Sequence, residues 1–175
     1  MSPTAGNWSN GSGNMREFST DLDQVGGHYA LVAARFTRSI TEQLVAGAER
    51  ALIGHGIDAD NIHCVWVPGA FEIPLACQRL TQIRHITGAR YNAIIALGAV
   101  IRGQTPHFDY VAGECARGIA RVSLDSGVPV IFGVLTTDTR EQAERRADPG
   151  AGDKGGAAAR AALEMAGLPI PKLID

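Results

Sequence analysis

From Tyr29 the chain runs Tyr-Ala-Leu-Val-Ala-Ala-Arg-Phe, apolar on successive positions rather than on alternate ones. A strand wetted on one face alternates, so this run describes a strand covered on both faces, as in the middle of a parallel sheet. Further strand-like runs follow at residues 63–67, 93–97 and 128–135. Between them lie segments of helical character. Ile40, Leu44, Ala48 and Leu52 recur at four-residue intervals, Pro74 suits the first turn of a helix in the stretch from Phe71 to Ile86, and Val111, Cys115, Ile119 and Val122 share a face that ends before Gly127. Ser39 followed by Glu42 offers a reciprocal capping box. Residues 139–147 and 157–165 read as closing helices, interrupted around Pro149-Gly150-Ala151-Gly152. Connectors this long favour crossover helices over hairpins. The expectation is one three-layer α/β domain over residues 17–175, built on a four-stranded parallel sheet. Residues 1–16 mix Ser, Asn, Gly and Thr with an isolated Trp8 and are expected to form a flexible arm.

Charge and cysteine content narrow the classes of function. Sixteen Lys and Arg against eighteen Asp and Glu give a formal net charge of -2. No broad basic field for nucleic acid or a membrane surface results, although a local basic cluster can still hold a small anion. Cys64, Cys77 and Cys115 are odd in number and far apart, which fits reduced, mostly buried thiols rather than a disulfide framework. No His-X-X-X-His spacing or compact His/Asp/Cys set suggests zinc, so no metal is expected. The first fifteen residues carry no charge and no continuous apolar stretch, and a cytoplasmic protein is the expectation.

In a parallel sheet the loops after the strands converge at one edge, which brings Phe36, residues 68–72, residues 98–107 and the region after Leu135 within reach of one site. The densest candidate is Gly98-Ala-Val-Ile-Arg-Gly-Gln-Thr-Pro-His-Phe-Asp-Tyr110. Backbone amides and the Thr105 hydroxyl there can hold an oxyanion. His107 can exchange a proton near neutral pH, with Asp109 a candidate to orient it. A loop histidine can equally serve packing; its place after Gly103, Gln104 and Thr105 is what argues for catalysis. Phe36 and Phe71 can cover a planar heterocycle, though each alone reads as core or rim packing. Arg145 and Arg146, with Arg140 and Lys154 nearby, form either a solvated helix face or a guanidinium clamp on phosphate. The glycines at 150, 152, 155 and 156 do not complete a nucleotide phosphate loop, because Gly155 follows Lys154. They read as a helix break or a subunit-contact turn.

Taken in order, Ala34-Arg35-Phe36, the segment from Val67 to Pro74, Gly98-Ala-Val-Ile-Arg-Gly103, Thr105-Pro-His-Phe-Asp-Tyr110 and Val130-Ile-Phe-Gly133 resemble the 6,7-dimethyl-8-ribityllumazine synthase family over about residues 28–168. The resemblance implies a flavodoxin-like α/β/α sandwich that uses no cofactor. It also implies condensation of 5-amino-6-(D-ribitylamino)uracil with 3,4-dihydroxy-2-butanone 4-phosphate. Matching motifs carries pyrimidine binding onto Phe36, Ala70, Phe71, Glu72, Ala99, Val100 and Ile101, with Phe132 presented from an adjacent subunit. Phosphate binding falls on Gln104, Thr105 and Arg146, acid–base chemistry on His107, and an auxiliary basic position on Lys154. Two residues depart from the family pattern: Thr37 stands where many members have Asn, and Gln104 replaces a small residue. The family forms pentamers, some of which assemble by twelves into 60-subunit shells. Gly152-Asp-Lys-Gly155 resembles a turn of shell-forming members and favours the shell, while Asp148-Pro149 alters the approach to it. The competing expectations are a scaffold that has lost synthesis and a binding module for flavin-like heterocycles. His107, Thr105 and Arg146 together favour catalysis.

Overall fold

The computed structural model describes residues 17–83 and 88–169. The arm expected over residues 1–16, the end of the helical stretch expected to reach Ile86, and residues 170–175 of the expected domain lie outside them. Four strands, β1 (His28–Ala34), β2 (Ile62–Val67), β3 (Tyr91–Ile101) and β4 (Val130–Thr137), alternate with α1 (Arg38–Gly54), α2 (Ile73–Gln82) and α3 (His107–Ser126). Two further helices, α4 (Arg140–Ala147) and α5 (Lys154–Gly167), follow β4. All strand pairs are parallel and the order is β2-β1-β3-β4, so β2 and β4 form the edges. With helices on both sheet faces this is a flavodoxin-like α/β/α sandwich.

Period-two alternation assigns side chains to the layers. Tyr29 and Leu31 of β1, with Ala93, Ile95 and Leu97 of β3, pack against α1, α4 and α5. Ala30, Val32 and Ala34, with Ile94 and Ala96, pack against α2 and α3. Residues 29–34 are each at most 1% exposed, which is why the β1 sequence shows no polar alternation. Each large side chain buried there contributes about 1.5–3 kcal/mol relative to exposure. One irregularity interrupts the register: Asn92 is the extra residue between the pairs His28–Tyr91 and Tyr29–Ala93. It switches Tyr91 to the α2/α3 face, while the Asn92 side-chain oxygen accepts from the His28 amide at 2.9 Å.

Three local expectations change. The Ser39–Glu42 capping box does not form: α1 starts at Arg38, and Thr37 is the cap residue. Ser39 and Glu42 instead take the guanidinium groups of Arg140 and Arg38. β3 runs on to Ile101 rather than ending at Leu97, because β4 pairs with it through Thr137. The glycines before Ala157 belong to α5, where Gly155 and Gly156 are buried in its first turn. A Cβ on Gly155 would run into the backbone of Leu44, so these residues permit the close crossing of α1 and α5. Among the described residues no helix is long and apolar enough to cross a membrane.

Candidate active site

The ends of β1, β2 and β3 frame one cavity of about 760 Å³. Past the end of β1, the Arg35 amide donates to the Val67 carbonyl at 2.9 Å, which carries the pairing beyond the strand and then releases Phe36 to solvent, 87% exposed. Thr37 closes the turn. Its carbonyl accepts from the Ile40 and Thr41 amides at 3.0 Å, and its hydroxyl donates to the Ala99 carbonyl at 3.1 Å, tying the head of α1 to β3. After β2, Pro68-Gly69 leads into a single 3-10 turn over Ala70–Glu72, which leaves Phe71 57% exposed. After β3 the Arg102 amide donates to the Thr137 carbonyl at 2.9 Å, and the chain turns through Gly103 to Thr105 before His107 opens α3.

Of the residues expected from the sequence, Phe36, Ala70, Phe71, Glu72, Ala99, Val100, Ile101, Thr105 and His107 all line this cavity. Thr37, Phe108, Tyr110, Val111 and Arg140 also line it, so its wall carries four aromatic rings, one carboxylate, one imidazole and one guanidinium. Such a surface suits a flat, polar-edged ligand.

Four expected residues lie elsewhere. Gln104 belongs to the same turn as Thr105 but not to the lining. Phe132 sits within edge strand β4, paired with Ala96 and 44% exposed. It is five residues short of the strand end that faces the cavity, roughly 16 Å at about 3.3 Å per residue. Arg146, in the last turn of α4, donates to the Gln142 carbonyl of its own helix at 3.1 Å. Lys154 is exposed at the start of α5. The turn before it is shaped by Asp148, whose carbonyl accepts from Ala151 and Asp153 at 3.1 and 3.0 Å. Asp153 is held at φ +38° by its bond to the Gly156 amide and by ion pairs to Arg50 and Arg160.

Asp109 does not partner His107. Positions two apart on a helix point to different sides, and the Asp109 carboxylate accepts from Arg102 at 3.3 Å instead. Arg102 also donates to Asp138 at 3.1 Å, and its guanidinium stacks over the Phe108 ring at 4.2 Å. This network braces the turn between β3 and α3 against β4. Sequence reasoning missed it, since nothing in Ile101-Arg-Gly103 signals a partner 36 residues away. In the sequence Arg140 stands out only as a neighbour of Arg145. Its better signal was its place just after Thr139, whose hydroxyl caps α4 by accepting from the Gln142 amide at 3.2 Å, at the carboxyl end of β4.

The cysteines play no part in this wall. Cys77 and Cys115 are buried and Cys64 is exposed, so the thiols are mostly buried, as expected. Burial pushes the Cys77 thiol up to about 12, with the neighbouring Cys115 adding to the shift, and burial pushes Cys115 up to about 12 as well.

Residues 26–169 match the family model described as 6,7-dimethyl-8-ribityllumazine synthase.

Proposed function

The chain belongs to the 6,7-dimethyl-8-ribityllumazine synthase family of riboflavin biosynthesis, and from that premise we propose that it condenses 5-amino-6-(D-ribitylamino)uracil with 3,4-dihydroxy-2-butanone 4-phosphate, at sites formed between adjacent protomers of a homopentamer. The observation that carries this reading is a division of residues. The aromatic wall, Glu72, Thr105 and His107 share one cavity with Gln104 in its adjoining turn, whereas the matched positions Phe132, Arg146 and Lys154 lie outside it on the same chain. A neighbouring protomer that brings its β4 edge, α4 and the head of α5 to the cavity mouth completes the set. A 60-subunit shell of twelve pentamers is the larger assembly we favour.

Phe36 and Phe71 stack on the uracil, and the strand-end backbone at Ala99, Val100 and Ile101 reads its edge. The 5-amino group attacks the butanone carbonyl, and loss of water gives an imine. His107 shuttles protons in these steps, while holding both substrates together removes much of their encounter entropy. Thr105, the amides of its turn and the partner protomer's copy of the Arg146 position hold the phosphate, which leaves by elimination as its negative charge develops. The resulting enol tautomerises to a ketone, the ribityl-bearing nitrogen attacks it, and loss of a second water closes the ring. Glu72 orients polar groups of the pyrimidine.

Incubation of the purified protein with both substrates tests this directly. Lumazine absorbance that rises with phosphate release is the expected result. A purified assembly that binds the pyrimidine but yields no product under saturating substrates would support a scaffold or binding module instead.

A further inference from the structure

Arg140 is the one guanidinium among the residues that line the cavity, and none of the motif matches assigned it a role. Its Nη2 donates to Ser39 Oγ at 2.8 Å across the gap between the heads of α1 and α4, and its Nε donates to Glu144 Oε1 at 2.7 Å. Those bonds use two of its five N–H donors and hold the plane of the group in place.

Position separates this group from the phosphate turn. Phe36 and Thr37 lead into α1, which packs with α4 on one face of the sheet, whereas Glu72, Thr105 and His107 belong to the segments around α2 and α3 on the other. A substrate that straddles the sheet edge therefore meets Arg140 on the wall opposite the imidazole. Charge points the same way. The Arg140 charge is already paired with Glu144, which weakens its pull on a phosphate dianion, while its remaining N–H donors still suit the hydroxyl oxygens of a polyol. Thr37, at the position where many family members carry Asn, has its own proton committed to the Ala99 carbonyl.

We infer that Arg140, supported by Ser39 and Glu144, recognises hydroxyl groups of the ribityl chain and sets the preference for a polyhydroxylated pyrimidine. This rests on the proposed substrates. Binding of the pyrimidine alone, without the phosphorylated partner, measures it free of turnover. The probes are 5-amino-6-(D-ribitylamino)uracil and the analogue with methyl in place of ribityl, titrated into the intact assembly by calorimetry.

Arg140→Met is expected to shrink the preference for the ribityl compound about 5- to 20-fold, the range of one charge-assisted hydrogen bond at a half-open site. Arg140→Lys should restore part of it, and Ser39→Ala should lower it less than Arg140→Met. An unchanged preference in a folded Arg140→Met assembly would overturn the inference. So would a raised KM for the butanone phosphate with the ribityl preference intact, which would make Arg140 a phosphate ligand. A wild-type protein that prefers the ribityl compound yet forms no lumazine would remove the synthase reading and leave the Arg140 assignment standing.

Discussion

The Arg102 guanidinium donates to the Asp109 carboxylate at 3.3 Å, which commits the acidic group nearest His107 in sequence to a different partner. Among the described residues His107 thus opens α3 with no bond to Asp109. Asp109→Asn is expected to leave kcat within about fivefold of wild type, because an exposed ion pair is worth little. His107→Ala should lower kcat about 100-fold while changing pyrimidine affinity far less. Steady-state kinetics with calorimetry on both variants checks the contrast. Equal losses would return Asp109 to the acid–base machinery.

Among the described residues, Arg146 bonds only to the Gln142 carbonyl, on the same helix. If a neighbour's cavity uses it for the phosphate, Arg146→Ala should raise KM for 3,4-dihydroxy-2-butanone 4-phosphate about 10- to 100-fold and leave KM for the pyrimidine nearly unchanged. A loss shared equally by both substrates would contradict the assignment.

Gly155 lies where α5 crosses α1, with no room for a Cβ beside the Leu44 backbone. Backbone cannot swing aside as a flexible side chain can. Gly155→Ala should cost about 1–3 kcal/mol of stability in denaturant titration, the usual range for overpacking. Gly54→Ala, at a glycine with nothing within 4 Å of the added Cβ, is the matched control.

Burial raises Cys77 and Cys115 to about 12, and burial likewise raises Tyr29 to about 12. A group whose folded pKa lies above its unfolded one binds protons more tightly when folded. Its stabilising effect is complete below the unfolded value and is lost as pH rises through the folded one. Stability should therefore hold to about pH 9 and fall toward pH 12. Denaturation midpoints across that range should decline less steeply in Cys77→Ala/Cys115→Ala than in wild type. At pH 8 a thiol reagent should modify Cys64 first and reach the other two on unfolding. Parallel midpoint curves for variant and wild type would exclude a thiol contribution.

Fold class was legible because β1 and β3 are buried on both faces and therefore carry unbroken apolar runs, and because α1 and α3 show clear helical periodicity. Half the site was legible for a related reason. In a parallel sheet, strand ends locate chemistry from topology alone, so Phe36, Phe71 and His107 can be grouped from the sequence. What the sequence concealed depends on side-chain geometry between distant segments. Ser39 looked like a capping residue but holds Arg140, 101 residues away, and Asp109 looked like the partner of His107 but holds Arg102. The glycines at 155 and 156 read as a helix break or a subunit-contact turn, when the requirement they meet is the close packing of two helices.

A site shared between protomers has a consequence that a site within one chain does not. In an assembly co-expressed from equal amounts of His107→Ala and Arg146→Ala chains, random mixing leaves about one interface in four with both residues intact, as a head-to-tail ring contact requires. Lumazine formation by the mixed assembly, assayed at butanone phosphate well below the wild-type KM, is expected to lie well above the sum of the two parent variants assayed the same way. Activity no greater than that sum, in assemblies shown by native mass measurement to contain both chains, would contradict the shared cavity.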